Sequence, residues 1–437
     1  EQAYGYRAEL RPVDEHGRRL ALRASELLSE AGSRALGRND VGAAVKFLRR
    51  ALALCDENDP AVALRLELGQ ALFLAGDLGA AGEAARDAAA RAAAAAGNEG
   101  GELRARLLRA RIAAQTPSEG SDGGPGADLL AVAEEARSVF ELSGDELGLA
   151  EAWFATAWGE LIRCRWGAML VASRHALEHA RRGGSARWEG ELPAWQGTAM
   201  FYGPTPADEA LRWYEEQQAE HPISLTQHAM LEAMRGNFDR ARTLAASADD
   251  AAAEFGQKLW LAMGGMAHWE IEMLAGEHSA AERAVRRSCE LLEELGEVGH
   301  RSLAAGQLAA SLHALAQFDH AHEWTETAEG LAPTGDVSSQ MLWRQVRARI
   351  LARRGRQEQA DELAREAVAL AEQTDMLNYH ANALADLAEV EVAAGRAEDG
   401  RACLEQAMNL YVQKGNLVAL ERAGRRLEEL RAHARAS

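Results

Sequence analysis

The sequence predicts an all-α fold made of repeated helix pairs. Its 437 residues are too many for one compact core, so several domains or a repeat array are expected. Hydrophobic residues make up 47% of the chain but aromatic residues only 5%, because alanine takes the place of larger apolar side chains. Alanine is the strongest helix former, and only nine prolines interrupt the chain. A turn motif that recurs along the chain divides the helices into pairs.

The turn motif is clearest in LELGQALFLAGDLGAAGEAARDA, where Gly76 and Asp77 separate two helical patterns. Glycine tolerates the left-handed conformation that ends a helix, and aspartate caps the start of the next one. The last five such turns are spaced by 40, 40, 39 and 40 residues. The equivalent positions are Asn39-Asp40, Gly236-Asn237, Gly276-Glu277, Ala316-Gln317, Gly355-Arg356 and Gly395-Arg396.

Small residues occupy three fixed positions relative to each turn: seven residues before it, and five and twelve residues after it. A large side chain there would push neighbouring helix axes beyond their usual separation of about 8–10 Å. Only Trp269 breaks the pattern, and we expect either a local opening or an incorrect register at that position. The small residues are Gly32, Ala44, Ala51, Gly69, Ala81, Ala88, Ala229, Ala241, Ala248, Ala281, Ser288, Ala309, Ala321, Ala328, Ala348, Ala360, Ala367, Ala388, Gly400 and Ala407.

This pattern resembles the tetratricopeptide repeat, which carries small residues at its eighth, twentieth and twenty-seventh positions. The family repeat is about 34 residues long, whereas the repeat in this chain is nearer 40, so each helix should be slightly longer. The resemblance implies a right-handed α-solenoid of about ten tetratricopeptide-like helix pairs.

Three regions are expected along the chain. Tetratricopeptide-like repeats should occupy residues 1–115, an irregular Trp-rich helical region residues 127–220, and regular repeats residues 221–437, ending in a capping helix that starts near Leu417. The segment Thr116–Gly126 is too rich in Gly, Ser and Pro to be helical. We expect the tryptophans of the middle region to pack in the core, with recognition at an exposed surface as the alternative. They are Trp153, Trp158, Trp188, Trp195 and Trp213.

Several segments resemble the region that follows the ATPase module in actinobacterial signal-transduction ATPases of the STAND type. The similar segments are EQAYGYRAEL, GPTPADEAL, LEAMRGNFDRAR and QVRARILARRGRQEQADELAREAV. The resemblance implies a sensor and autoregulatory arm of a larger regulator, which often carries a nucleotide cyclase or helix-turn-helix domain. Because the chain begins at Glu1 without a methionine, we expect a fragment of such a protein.

Several classes of function are disfavoured by the sequence. A net charge of −19 disfavours a nucleic-acid partner, and no GxxxxGK[ST] motif is present to bind nucleotide phosphates. The four cysteines lie more than 100 positions apart, so a disulfide framework or zinc knuckle is not expected and a cytoplasmic location fits. No apolar run approaches the length of a membrane span. We therefore expect a non-enzymatic scaffold with no cofactor, no metal and no membrane contact.

Two alternatives to a sensor arm stay open. The first is a stand-alone adaptor that bridges proteins. The second is a metal-dependent hydrolase, because His175 and His179 form an HxxEH motif and would share one face of a helix. An ordinary outer helix of a repeat explains the same motif, and no third metal ligand is suggested nearby.

The first helix of each pair should line the concave face of a tetratricopeptide stack, where a protein, a peptide or a small regulatory ligand would bind. The protein partner could be the ATPase module of the same polypeptide. We expect Arg349 and Glu389 to lie on this surface, so that alanine at either position changes stability by no more than about 0.5 kcal/mol. The full set of predicted concave-face residues is Met230, Met263, Met266, Glu270, Met273, His313, Gln345, Arg349, Asn382 and Glu389.

Overall fold

The structure is a computed structural model that describes residues 14–37, 40–55, 61–95, 98–114, 126–217, 221–254, 258–333 and 335–436. These residues form 21 α-helices and contain no β-strand. The opening segment EQAYGYRAEL and most of the predicted loop Thr116–Gly126 lie outside the described residues, as does Asn39 of the first turn. The helices are α1 (Glu15–Gly37), α2 (Val41–Leu52), α3 (Val62–Leu74), α4 (Leu78–Ala94), α5 (Glu99–Ala113), α6 (Ala127–Ser143), α7 (Glu146–Ile162), α8 (Trp166–Arg182), α9 (Ala186–Tyr202), α10 (Ala207–Gln217), α11 (Pro222–Met234), α12 (Phe238–Glu254), α13 (Lys258–Ala275), α14 (His278–Glu294), α15 (Gly299–Ala314), α16 (Phe318–Leu331), α17 (Val337–Arg353), α18 (Gln357–Glu372), α19 (Leu377–Ala393), α20 (Ala397–Lys414) and α21 (Leu417–Ala436).

The helices pack as successive pairs. Each of α11, α13, α15 and α17 packs along the helix that follows it and also contacts the first helix of the next pair, and α19 packs along α20. This combination of partners is the packing pattern of a helical solenoid, in which each repeat contacts its neighbours. The predicted all-α repeat solenoid is confirmed.

The chain divides into two compact units. Unit 1 comprises Glu1–Arg163 and Ala168–Gln196, and unit 2 comprises Cys164–Gly167 and Gly197–Ser437. Contacts within the two units define this division. The division into three regions predicted from the sequence stays a prediction.

The turns between paired helices have the conformation that the motif predicts. Gly76, Gly236, Gly276, Gly355 and Gly395 have φ angles between 73° and 87°, which glycine adopts without steric cost. At the first of these turns the Asp77 side chain accepts a hydrogen bond from the Ala80 amide at 3.0 Å. At Ala316, which has a φ of 59°, the same turn is formed without glycine.

The small residues of the repeat lie where the helices approach one another. All 20 are buried, whereas Trp269 is only partly buried. The register around Trp269 is nevertheless correct, because Gly276 has the expected left-handed backbone and Ala281 is fully buried. The close approach of α13 to α14 occurs at Gly265 instead, where a Cβ atom would lie 2.7 Å from the Ala284 carbonyl oxygen. The local opening expected at Trp269 stays a prediction.

Most tryptophans of the middle region belong to the core of unit 1. Trp158 and Trp188 are buried, and the ring centroid of Phe154 lies 4.7 Å from that of Trp188. The Arg111 guanidinium lies 4.8 Å from the Phe154 ring centroid and 5.1 Å from that of Trp158. Trp153 and Trp195 pack against the same core. In unit 2, Trp213 contacts Tyr214 with a ring centroid distance of 5.0 Å.

Within unit 2 the last helices return to the first ones, and a buried lysine makes one of these contacts. The Lys414 Nζ atom at the end of α20 donates hydrogen bonds to the carbonyl oxygens of Met200, Gly203 and Thr205 at 2.8–2.9 Å. An ammonium group has three donors, so each of them is satisfied. Burial lowers the pKa of Lys414 to about 7, although two neighbouring carboxylates oppose this effect.

Two further contacts close unit 2. The Asp375 carboxylate accepts hydrogen bonds from the backbone amides of Trp166 and Gly167 at 2.8 and 2.7 Å, and so caps the start of α8. The Arg422 Nη2 atom of α21 donates to the carbonyl oxygens of Met273 and Leu274, at the end of α13. These contacts join residues 148–214 positions apart, so that the last helices of unit 2 contact its first ones.

Exchanging glycine and alanine at two turns should change stability in opposite directions. Gly355→Ala should lower the free energy of unfolding by about 1 kcal/mol, because alanine is strained at a φ of 73° and a Cβ atom there meets no other group. Ala316→Gly should raise it by about 0.5–1 kcal/mol, since it removes the same strain. Urea unfolding of both variants measures these effects. If both substitutions changed the free energy of unfolding in the same direction, the two turns would not be equivalent.

Candidate functional site

Unit 2 contains a cavity of about 370 Å³ that is partly open to solvent. Its walls come from α13, α15, α17 and α19, which are the first helices of four successive pairs, and from α20 and α21. The second helices of the first three of these pairs, α14, α16 and α18, contribute no residue to the walls. The contact between Arg422 and the end of α13 places α21 across the cavity.

The structure brings together six of the ten predicted concave-face residues. Glu270, Met273, Gln345, Arg349, Asn382 and Glu389 line the cavity. Of the other four, Met230 and Met266 are buried in the packing of unit 2, and Met263 and His313 are partly buried. That any of the ten contacts a partner stays a prediction.

Arg349 and Asp386 form an ion pair in the cavity wall. The Arg349 Nη1 and Asp386 Oδ1 atoms are 3.0 Å apart, and each side chain is 17% exposed. Burial lowers the pKa of Arg349, but the charges of Asp386 and Glu389 outweigh it, so the guanidinium stays charged. Burial raises the pKa of Asp386, and Arg349 opposes that shift.

This ion pair overturns the expectation that Arg349 is a freely replaceable surface residue. Arg349→Ala would leave the Asp386 carboxylate enclosed without its cation, and removing one partner of a buried pair costs about 3 kcal/mol or more. Glu389 is exposed in the structure, so the expectation of a small effect still applies to it.

The His313 side chain packs against other side chains of unit 2, and its pKa is lowered. Its ring packs edge-on against Phe318, with ring centroids 5.4 Å apart. Burial lowers the pKa of His313 to about 3, with further lowering from the charges of Arg349 and Arg353. The imidazole is therefore neutral at physiological pH.

Two carboxylates of the cavity, Glu270 and Glu389, form no hydrogen bond or ion pair within the described part of the chain, and Glu270 is the more buried of the two. Among the described residues, no hydrogen-bond donor reaches it and no cation pairs with it directly. Burial raises the pKa of Glu270 to about 7, even though the charge of Lys414 acts in the opposite direction. Tyr379 and Tyr202 lie near Glu270. Burial raises the pKa of both phenols, and the negative charge of Glu270 raises it further.

Other polar groups of the cavity are fixed by hydrogen bonds. The Tyr411 hydroxyl donates to Asn382 Oδ1 at 2.6 Å, and the Trp269 indole N–H donates to Ser311 Oγ at 2.7 Å. Fixed side chains lose little conformational freedom when a ligand binds, so the cavity is preorganised.

The HxxEH motif lies on α8 in unit 1. The ring of His175 stacks on Trp153 with centroids 4.5 Å apart, and His179 Nδ1 lies 2.7 Å from Glu146 Oε2. Across the described ranges, no three His, Cys, Asp or Glu side chains are grouped so that they could share a metal ion.

Within the same ranges, no helix is both long and apolar enough to cross a membrane.

Sequence reasoning missed Lys414, Asp375 and Arg422, which close unit 2. A signal for the first of these was available, because the chain has only three lysines, Lys46, Lys258 and Lys414, among 48 basic residues. A lysine kept in an arginine-rich chain suggests a position that needs a compact ammonium group. Asp375 and Arg422 bond to backbone groups, which every residue has, so the sequence does not indicate these contacts.

No family model and no curated protein matches the chain. Solved structures with similar folds include the APC/C hetero-tetramer Cut9-Hcn1, with a TM-score of 0.48, 13% identity and coverage of 94% of this chain and 82% of that one. A Rap protein complexed with Competence and Sporulation Factor has a TM-score of 0.47 and 13% identity, over 86% and 99% of the two chains. Yeast Tom70 has a TM-score of 0.40 and 12% identity, over 94% and 96%. Similarity at this level carries no argument about function.

The unpartnered carboxylate of Glu270 predicts a pH-dependent effect of Glu270→Gln. The folded protein favours the protonated form of Glu270, because folding raises its pKa to about 7. The contribution of this group to the free energy of unfolding is therefore highest at a pH below the pKa of glutamate in the unfolded chain, and it falls as the pH rises through about 7. Glutamine is neutral throughout. The variant should therefore match the wild type near pH 4 and be more stable by about 2 kcal/mol at pH 8.

Urea unfolding of both proteins at the two pH values measures the difference. Lys414 titrates in the same range, and because the charge of Glu270 raises its pKa, part of the measured difference comes from Lys414. An equal stability difference at pH 4 and pH 8 would contradict the raised pKa of Glu270.

Proposed function

We propose that the chain is a non-enzymatic binding scaffold and that the cavity of unit 2 holds its ligand. The observation that carries this proposal is the preorganised, partly open cavity, which charged and amide side chains from five helices line. Cavities of about 300–1,000 Å³ with a few placed polar groups are typical of small-ligand sites.

The volume limits what can bind. A space of about 370 Å³ corresponds to about a dozen water molecules at liquid density. It is too small for a folded partner domain, and it suits a small molecule or the end of a peptide. Glu270, Asn382 and Glu389 would contact such a ligand, whereas Arg349 and Asp386 already contact each other.

We also propose that this scaffold is the sensor arm of a STAND-type ATPase, which is the context suggested by the segments LEAMRGNFDRAR and GPTPADEAL. The closure of unit 2 supports a sensing role, because a ligand in the cavity would contact both α13 and α21. Such a ligand binds the closed form better than an open one, and this difference in affinity shifts the equilibrium between them. An attached ATPase would respond to that shift.

Blocking the cavity should abolish ligand binding without unfolding the protein. Ala385 lines the cavity on α19, whereas Ala393 is exposed at the end of the same helix and does not. Compounds and short peptides that raise the melting temperature of the wild type should do so for Ala393→Trp but not for Ala385→Trp. A ligand at 100 times its Kd stabilises the folded form by about 2.7 kcal/mol, which a thermal shift screen detects readily.

Circular dichroism spectra of both tryptophan variants test whether they are folded, and we expect the helical spectrum of the wild type for each. Ligands that stabilise Ala385→Trp as strongly as Ala393→Trp would place the binding site elsewhere. The proposed function fails if no probe of any class gives a shift that Ala385→Trp removes.

A further inference from the structure

The chemistry of one cavity wall indicates which ligand group it accepts. Glu270 presents a carboxylate that burial has stripped of much of its water, and among the described side chains none replaces that water with a donor. Burying a charge without a partner is costly, so a group that supplies both positive charge and N–H donors would be favoured there.

Lys414 is not that group. Its three N–H donors are used by the carbonyl oxygens of Met200, Gly203 and Thr205, and it is not hydrogen-bonded to Glu270. The lysine acts on Glu270 only through its charge.

The arginines of the cavity also have other partners. Arg349 pairs with Asp386, and Arg422 donates to the backbone oxygens at the end of α13. Arg426 pairs with Glu429 at 2.9 Å. None of the three arginines forms a hydrogen bond or an ion pair with Glu270. The oxygens of this carboxylate can therefore accept hydrogen bonds from a ligand.

Three aromatic residues line the cavity together with Glu270, and they are Trp269, Tyr379 and Tyr411. The Tyr411 hydroxyl is used on Asn382. Trp269 uses its indole N–H on Ser311, so its polar edge is already occupied and its ring remains as an apolar surface. Tyr379 lies within electrostatic reach of the carboxylate. Aromatic faces attract organic cations, with which they interact through the ring quadrupole.

We propose that the wall formed by Glu270, Tyr379 and Trp269 binds a primary ammonium group attached to an aliphatic chain. This inference rests on the proposed function of the cavity. The ammonium donates to the Glu270 carboxylate, and its aliphatic carbons pack on the aromatic rings. A small amine and the amino terminus of a peptide share this chemistry.

Isothermal titration calorimetry on the full chain tests the inference with four probes. They are putrescine, tri-alanine with a free amino terminus, N-acetyl-tri-alanine and tetramethylammonium, which has no N–H donor. At least one of the two primary amines should bind, and the other two probes should not. Binding of putrescine alone indicates a small amine, whereas binding of free tri-alanine alone indicates a peptide terminus.

Glu270→Gln should weaken the binding of the primary amine by about tenfold to a hundredfold, because a charge-assisted hydrogen bond is lost. Glu277→Gln is the matched control, since Glu277 is exposed at the following turn and does not line the cavity. Titration of the wild type near pH 7 in two buffers of different ionisation enthalpy should also show proton release. The sign follows because a bound cation lowers the pKa of Glu270 from about 7.

The inference is overturned if neither primary amine binds, if Glu270→Gln binds it as tightly as Glu277→Gln, or if tetramethylammonium binds equally well. The proposed function survives each of these outcomes when another class of ligand binds the wild type and Ala385→Trp removes that binding. If no class of ligand does so, both proposals fail.

Discussion

The Lys414 ammonium group lies at the end of α20, where its three N–H bonds meet three carbonyl oxygens from the end of α9 and from the connection between α9 and α10. Removing an ammonium from water is costly, and a full set of acceptors offsets that cost. Because this contact joins residues more than 200 positions apart, it ties the last helix pair of unit 2 to the first. We infer that the shape of the cavity depends on this contact.

The repeat makes this closure possible. Small side chains such as Ala281 and Ala367 let successive helices pack closely, and the inner helices then face one another across the unit. Closure removes these inner faces from bulk water, which explains why Glu270 resists ionisation and why Arg349 needs Asp386 beside it. The burial of small residues between the helices and the electrostatics of the cavity thus both follow from the close packing of the repeats.

The features predictable from the sequence were those set by local spacing. The turns at Gly76 and Gly276, and the buried alanines at fixed distances from them, follow from helix geometry and steric limits. Six of the predicted concave-face residues line the cavity because their helical phase follows from the same turns. Pairs such as Lys414 with Met200 could not be predicted, since distant residues meet only when many small repeat rotations add up.

The closure of unit 2 can be measured directly by electron paramagnetic resonance. Spin labels at Asp239→Cys on α12 and Glu428→Cys on α21, both exposed, would report the distance across the junction in a chain without its native cysteines. We predict one narrow distance distribution, which becomes longer and broader in Lys414→Met because three buried carbonyl oxygens lose their donor. A broad distribution in the parent, or an unchanged narrow one in Lys414→Met, would contradict the dependence of the cavity on Lys414.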